Sequence, residues 1–269
     1  MALTTSIVIN YFDSAISVLP VRLSRGREIH KKTNTKNMNT INYTSKETHS
    51  TITINNGKVN AISHEVIDEL NTAFDQAENE QKVVVLTGKE GIFSAGYDLK
   101  TMTASADSAK ALVTKGSKLV HRMLSFPLPI IGACNGHAIA KGAFLLLACD
   151  YRIGVEGDFK IGLNEVQIGM TMHHAGIAIA RARLAPVFLD RSVINAELYN
   201  PKDAMTVGFL DLVVATNHLE ATAAKVAGMF SKLNMKAHAE TKLKVRAGIL
   251  ADLAEAIELD SKAEILING

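Results

Sequence analysis

The hydrophobic pattern of the first half of the chain predicts a hairpin, a helix and a strand in succession. Ile41–Ser45 and Ser50–Ile54 are β-rich runs separated by four polar residues, which indicates a hairpin. Ser63 can cap a helix that runs to about Asn79, because apolar residues recur there at helical spacing, namely Val66, Ile67, Leu70 and Phe74. Val83–Thr87 opens with four consecutive apolar residues, which is typical of a strand buried on both faces.

The same unit recurs further along the chain. A helix is predicted from about Ser105 to Leu124, ending before two prolines. The pattern then predicts a strand at 130–134, a short apolar helix at 142–149 and strands at 150–155 and 159–161. Beyond His174 the sequence is mostly helical, with segments at 175–185, 188–197, 202–208, 218–233 and 236–265. Alternating strands and helices followed by helices indicate an α/β core with a helical C-terminal region.

The first 37 residues differ from the patterned sequence. They contain six Lys and Arg residues but only two acids, Asp13 and Glu28. Such a segment can be an organelle transit peptide, or it can be an upstream extension that the native start omits; we favour the second interpretation. Under both, residues 1–37 are expected outside the fold, with a core at 38–200 and a C-terminal helical region, used for oligomerisation, at 201–269.

Composition narrows the class of protein. Hydrophobic residues make up 47% of the 269-residue chain and charged residues 21%, as in ordinary globular proteins. A formal net charge of +2 gives no reason to expect nucleic acid or a membrane surface as a partner. Cys134 and Cys149 both lie in apolar runs without metal-ligand spacing, so we expect no disulfide and no metal site. A cytoplasmic location is predicted, or an organelle matrix if the N-terminus is a transit peptide.

Two glycine-bearing segments and one carboxylate carry the candidate chemistry. Phe93–Leu99 and Gly136–Gly142 each follow an apolar, strand-like run, so each can present a backbone N–H at the edge of a core. Two such N–H groups directed at one point form an oxyanion hole. Glu165 follows in the run Ile161–Glu165 and can move a proton. The combination indicates enolate chemistry on a carbonyl compound.

In the order and spacing of these motifs, the chain from Ile41 onward resembles the crotonase superfamily of enoyl-CoA hydratases and isomerases. The matching segments are Lys58–Ala61, Phe93–Leu99, Gly136 through Gly142 to Cys149-Asp150, Gly162–Glu165, and Ala204 with Gly208–Val214. The resemblance implies the ClpP/crotonase-like fold, a spiral of β-β-α turns followed by helices. It also implies a homotrimer or a dimer of trimers, and an acyl-CoA thioester as substrate. It implies no separate cofactor, since coenzyme A enters as part of the substrate.

The resemblance also assigns the oxyanion hole. By position, the two N–H groups that bind the thioester carbonyl belong to Tyr97 and Lys141. Lys141 begins the short helix, whose N-terminal partial positive charge favours a developing enolate oxygen. The family usually has a glycine where Lys141 stands. The side chain of Lys141 is expected to be a solvated charge, so only its N–H receives a role.

Substrate contacts follow from the same resemblance. The adenine part of CoA is expected along Ala95, Asp98 and Leu99, with Ala61 beside it, although Asp98 also suits a helix cap. Lys58 is either a surface charge or a contact to a CoA phosphate, and both interpretations stay open. The remaining expected contacts are Gly96, Gly142, Phe144 and, as a wall of the acyl pocket, His137. The pair His173-His174 is expected to be a loop or packing feature rather than a metal site.

The reaction type depends on the number of carboxylates. Hydratases of the superfamily hold a water between two glutamates; Glu165 matches the second, but Phe144 stands where the first belongs. Isomerases need one carboxylate, which removes a proton from C2 of a 3-enoyl-CoA and returns it to C4. An apolar pocket should raise the pKa of that carboxylate toward neutrality. We therefore predict an enoyl-CoA isomerase, with a hydratase, another crotonase-type reaction on a CoA thioester and a non-catalytic binding role as alternatives.

Overall fold

The computed structural model describes residues 34–263, and within this range eleven strands form two sheets. The first sheet contains seven strands and the second contains four. The strands, numbered in chain order, are β1 (Asn34–Asn37), β2 (Ile41–Ser45), β3 (His49–Ile54), β4 (Val83–Thr87), β5 (Gly91–Ser94), β6 (Ile130–Cys134), β7 (Gly136–Ile139), β8 (Tyr151–Val155), β9 (Ile161–Gly162), β10 (Leu198–Tyr199) and β11 (Leu212–Val214).

Helices follow or separate these strands and dominate the last third of the described chain. Short 3-10 turns lie at Val166–Ile168, Pro186–Phe188 and Thr216–His218. The α-helices, numbered in the same way, are α1 (His64–Asn79), α2 (Leu99–Ala104), α3 (Ala106–Ser125), α4 (Lys141–Ala148), α5 (His174–Arg183), α6 (Leu189–Val193), α7 (Pro201–Val207), α8 (Leu219–Phe230), α9 (Met235–Val245) and α10 (Ala247–Lys262).

The first sheet confirms the hairpin and the buried strand. Its order is β1-β2-β3-β4-β6-β8-β11, with antiparallel pairing from β1 to β3 and parallel pairing from β3 to β11. The even residues of β4, Val84 and Leu86, join the main core, whereas Val83 and Val85 pack under α8. Both faces of β4 are therefore covered, which is why its sequence is continuously apolar.

Two helices begin at the serines where the sequence predicts their starts. Ser63 precedes α1, and its side chain accepts a hydrogen bond from the Val66 N–H at 3.3 Å. Ser105 caps α3 in the same way through the N–H of Ser108, at 3.1 Å. Each serine satisfies an N–H group that has no partner inside its own helix.

The second sheet was not predicted. Its order is β10-β9-β7-β5, and β5, β7 and β9 run parallel. The glycine-bearing segments Phe93–Leu99 and Gly136–Gly142 each begin in a strand of this sheet and leave it only afterwards. The predicted strand 159–161 is reduced to β9, which is two residues long. Two motifs that are distant in sequence are thus placed side by side by β-pairing.

The boundaries of the fold differ from the predicted ones at both ends. β1 belongs to the segment 1–37 that was expected outside the fold, yet it pairs antiparallel with β2 because its backbone completes the edge of the sheet. Residues 1–33 lie outside the described residues. The predicted helix 236–265 is two helices, which meet at Arg246, and the helix predicted at 188–197 ends at Val193.

The C-terminal helices fold back on the core of their own chain. Leu253 and Ile257 of α10 are 0% and 9% exposed and belong to the main hydrophobic cluster. These two residues therefore pack within their own chain, and the expected oligomerisation stays a prediction. In residues 34–263 no helix is both long enough and apolar enough to cross a membrane.

Candidate active site

Glu165 lies between β9 and the 3-10 turn Val166–Ile168, and its side chain is directed inward. The residue is 2% exposed, and its Oε2 atom has no hydrogen-bond partner among the described residues. Burial raises the pKa of the carboxyl to about 7, while its own N–H and the charge of Lys141 act in the opposite direction. A carboxyl in this state can both accept and return a proton near neutral pH.

The first N–H of the expected oxyanion hole belongs to Tyr97. Ile62 forms a parallel bridge opposite it, in which the N–H of Ile62 binds the carbonyl of Gly96 and the N–H of Asp98 binds the carbonyl of Ile62. The Tyr97 N–H lies between these two contacts and donates no hydrogen bond to any residue of the described range. Gly96 has φ +104°, a conformation that glycine adopts without steric cost.

The second N–H belongs to Lys141, the first residue of α4. It donates to none of residues 34–263, because the first turn of a helix offers no acceptor inside the helix. The turn into the helix is made by Ala140, with φ +50° and ψ −119°, so the positive φ falls one residue before the position where the family resemblance leads us to expect glycine. A non-glycine residue there costs about 1–3 kcal/mol, which the surrounding structure must supply.

The two N–H groups approach each other through direct contact of their loops. A Cβ placed on Gly96 would lie 3.0 Å from the Cβ of Ala140 and 3.6 Å from the nitrogen of Lys141. No side chain therefore separates the two segments. Together with Glu165, they surround a cavity of about 130 Å³, whose lining residues are Ala95, Tyr97, Leu99, Met102, Ala140, Asn164, Glu165, Ile168 and Met170.

Three predicted contacts in the first half of the chain lie outside the cavity at Glu165, and their expected contacts to CoA stay predictions. Asp98 caps α2, accepting from the N–H of Thr101 at 2.9 Å and from its hydroxyl at 2.7 Å. Ala61 lies beside the segment Phe93–Leu99, and its carbonyl accepts a hydrogen bond from the Asn56 amide at 2.6 Å. Lys58 is exposed. None of the three lines the cavity at Glu165 in the described structure.

His137 does not form a wall of this cavity. It lies in β7 with its ring edge-to-face against Phe159, at a centroid distance of 5.4 Å. Its Nδ1 accepts a hydrogen bond from the N–H of Lys160 at 3.0 Å. A four-residue strand alternates its side chains between two faces, and His137 points to the face opposite Ala138, which is fully buried.

Phe144 is buried behind the site rather than in the cavity. It is 1% exposed, and its ring meets that of His173 edge-to-face at 5.5 Å. His173 is thus a packing histidine, as expected, and burial lowers its pKa to about 3, so that it is neutral. Gly142 lies against the backbone of Ser94, where an added Cβ would be 2.3 Å from the carbonyl oxygen.

The expectation for the Lys141 side chain is wrong. The residue is 2% exposed rather than solvated, and its Nζ donates to the carbonyl of Gly116 in α3 at 2.6 Å. The polar pattern of α4 gives no sign of this, because the acceptor is a backbone atom 25 residues earlier in the chain.

One residue that the sequence did not indicate organises the start of the segment Phe93–Leu99. Asn60 is fully buried with φ +50°, and its amide donates to the carbonyls of Ile92 and Phe93, both at 3.2 Å. Its own carbonyl accepts from the Ser94 hydroxyl at 2.8 Å. Three contacts to one segment fix the strand that leads to Gly96. The residue type was the available sequence signal, since Asn tolerates the left-handed region better than most residues.

These features define a class: an α/β protein in which a buried carboxyl with one unpartnered oxygen lies at a cavity beside two backbone N–H groups that have no acceptor among residues 34–263, a site suited to enolate chemistry. The family model for enoyl-CoA hydratase/isomerase matches residues 44–264. The chain therefore belongs to the enoyl-CoA hydratase/isomerase family, within the crotonase superfamily.

Individual relatives carry both activities in their names. A probable enoyl-CoA hydratase of Bacillus subtilis is 31% identical over 179 residues, which is 65% of this chain and 69% of the relative. The human mitochondrial enoyl-CoA delta isomerase 1 is 28% identical over 210 residues, 76% of this chain and 70% of that protein. A crystal structure of a family protein from Pseudomonas syringae is 57% identical with a TM-score of 0.83, covering 84% of this chain and 98% of that one.

Proposed function

We propose that this protein is an enoyl-CoA isomerase that converts 3-enoyl-CoA to 2-enoyl-CoA. The observation that carries the proposal is the number of carboxylates at the cavity. Among the described residues, Glu165 is the only acidic side chain that lines it. A double-bond shift needs one group to move one proton between two carbons of the same substrate, and one carboxylate is sufficient for that.

The proposed reaction has two proton transfers. Glu165 takes the proton from C2, and the electron pair of the broken C–H bond delocalises over C2 to C4 and the thioester oxygen. The N–H groups of Tyr97 and Lys141 donate to that oxygen as its negative charge develops. The protonated Glu165 then delivers the proton to C4, the double bond settles between C2 and C3, and the carboxylate is regenerated.

Hydration is disfavoured by the residue at position 144. The family resemblance places the first glutamate of a hydratase there, and a phenyl ring can neither orient a water nor carry a proton. The ring of Phe144 is itself buried against His173, and neither residue lines the cavity at Glu165. An apolar setting around Glu165 also keeps water from the dienolate.

The rim of the cavity supports an acyl-CoA substrate. Leu99 and Ile168 are 63% and 40% exposed although both are apolar and line the cavity. Exposed apolar residues at the mouth of a pocket suit a ligand with an acyl chain and a long pantetheine arm. Ala95, also exposed, stands where the family resemblance puts the CoA moiety.

The experiment follows the absorbance of the conjugated enoyl thioester with two substrates. With 3-enoyl-CoA the absorbance should rise, and Glu165→Gln should slow this by about 100-fold or more, since general acid–base catalysis contributes at least that factor. Glu156→Gln, a change at an exposed glutamate, serves as the matched control and should keep the rate. A falling absorbance with 2-enoyl-CoA would instead show hydration, and the argument from Phe144 would be wrong.

A further inference from the structure

The side chain of Lys141 leaves the cavity and enters the core behind it. Its backbone nitrogen lies beside Gly96 and follows Ala140, which lines the cavity, whereas its Nζ donates to the carbonyl of Gly116 in the middle of α3, at 2.6 Å. The Nζ also lies 5.5 Å from the centroid of the Tyr97 ring. Burying an ammonium group is costly, so a lysine in this position needs partners that compensate for lost water.

Tyr97 is seated on the same turn of α3. Its hydroxyl lies within hydrogen-bond reach of the Val113 carbonyl, at 3.4 Å. A Cβ on Gly116 would stand only 2.2 Å from that hydroxyl, so the absence of a side chain at this position makes room for the ring. Gly116 therefore serves both residues, as the acceptor for Lys141 and as the space for Tyr97.

The charges around the Lys141 ammonium are few. Glu165 is the carboxylate that interacts with it, and burial lowers the pKa of Lys141 to about 7 against that attraction. His173 lies nearby and is neutral, since its pKa is lowered to about 3. The charge of Asp260 in α10 helps to raise the pKa of the Tyr97 hydroxyl, whereas the charge that acts on Lys141 is that of Glu165. Lys141 and Glu165 thus influence each other more than any other charged group influences either.

We propose that Lys141 is a positioning residue, whose Nζ–Gly116 hydrogen bond ties the second N–H of the oxyanion hole to the same turn of α3 that seats Tyr97, the source of the first. The proposal rests on the proposed enolate chemistry of the site. The same turn of α3 thus contacts the side chains of both residues that supply the N–H donors. The strained backbone at Ala140 is stabilised in the same way, because the next residue, Lys141, is anchored to α3.

The test measures how strongly the hole stabilises a negative oxygen. Acetoacetyl-CoA bound to the protein ionises to an enolate with its own absorbance, and the pH midpoint of that ionisation reports the strength of the two N–H contacts. In Lys141→Met, which keeps the apolar stem, the midpoint should rise by about one pH unit or more, a tenfold weaker stabilisation. The kcat for 3-enoyl-CoA should fall about tenfold or more, with KM changing less, because misplaced donors mainly affect the transition state.

A second readout separates positioning from simple loss of stability. Removing the ammonium removes the charge that lowers the pKa of Glu165, so the pH dependence of kcat/KM should move to higher pH in Lys141→Met. Lys115→Met is the matched control. This lysine directly precedes Gly116 in α3 and pairs with Asp68 at the surface. It should leave the enolate midpoint, the kcat and the pH profile unchanged. Wild-type values of all three in folded Lys141→Met would overturn the proposal.

Gly116→Ala tests the same turn with Lys141 intact. The added methyl must displace the Tyr97 ring, so the enolate midpoint should rise here also. If Lys141→Met does not fold, this variant decides, and an unchanged midpoint in folded Gly116→Ala contradicts the proposal. The acetoacetyl-CoA readout requires only an oxyanion hole. A protein that failed to isomerise 3-enoyl-CoA but showed these shifts would overturn the proposed function and not the role of Lys141.

Discussion

At the residue scale, the candidate site residues were predicted from sequence motifs rather than from the periodicity of side chains. Glu165, Tyr97 and Lys141 were identified from the segments that contain them, and the structure brings Glu165 and Tyr97 to one cavity, with the Lys141 N–H at its edge. The destination of the Lys141 side chain could not be predicted. It ends at the backbone carbonyl of Gly116, and no local pattern connects two positions 25 residues apart.

The buried state of Glu165 predicts the pH dependence of the reaction. In the proposed reaction the base form of Glu165 removes the C2 proton, and burial raises the pKa of Glu165 from 4.5 to about 7. The value of kcat/KM for 3-enoyl-CoA should therefore fall as the pH is lowered through about 7, approaching tenfold per pH unit below it. An exposed glutamate would keep full activity to about pH 5, close to its ordinary pKa.

Initial rates measured from about pH 5 to pH 9 check this prediction. The pH stability of the fold is followed in parallel, so that acid unfolding is not mistaken for protonation of the base. A profile that stays flat to about pH 5 would mean that Glu165 is solvated when substrate is bound, or that another group removes the proton.

At the element scale, length decided which strands the sequence could reveal. β2, β3, β4 and β6 have five or six residues with clear patterns, and all were predicted. β9 and β10 have two residues each, and β5 and β7 have four, too few to show a period. These short strands exist because the second sheet pairs them across long sequence separations, and they lead into the two segments that we propose form the oxyanion hole. The element that positions the site was thus the one hidden from sequence reasoning.

Helix α5 supplies a second case of long-range support, which leads to a prediction. His173 precedes the helix and offers no side-chain cap; instead Asp260 of α10 accepts from the N–H of His174 at 2.8 Å and of Ala175 at 2.9 Å. Asp260 is 1% exposed, and charge-assisted hydrogen bonds of this kind contribute about 1.5–3 kcal/mol. Asp260→Ala should lower the free energy of unfolding by about 2 kcal/mol, and Asp260→Asn, which keeps one acceptor, by about half as much.

Urea-induced unfolding of the variants measures this effect. Asp252→Ala is the matched control, because Asp252 is exposed on the same helix, and it should change the free energy of unfolding by less than about 0.5 kcal/mol. Equal effects of Asp260→Ala and Asp252→Ala would show that the cap contributes nothing. The start of α5 follows closely after Glu165, so the C-terminal helix supports the site as well as the fold.

At the scale of the whole molecule, a buried ionic cluster joins the C-terminal helices to the core. Asp150, which follows α4, accepts from Lys242 at 2.7 Å and pairs with Arg246 at 2.9 Å. The same carboxylate accepts from the Ile130 N–H at 2.7 Å, at the start of β6. The side chains of Asp150 and Lys242 are only 13% and 5% exposed. One carboxylate thus connects the first sheet, the end of α4 and the junction of α9 with α10.

The cluster predicts a large, cooperative loss of stability in Asp150→Ala. The change leaves two buried cations without their counter-charge, and removing one partner of a buried ion pair costs about 3–5 kcal/mol. Asp68→Ala breaks an ion pair with Lys115 whose aspartate is 65% exposed, and it should cost no more than about 1 kcal/mol. Denaturant unfolding followed by circular dichroism compares the two. If Asp150→Ala lost no more stability than Asp68→Ala, the carbonyls of Phe126 and Leu128, which also accept from Lys242, would be sufficient to hold the lysine, and the C-terminal helices would not depend on Asp150.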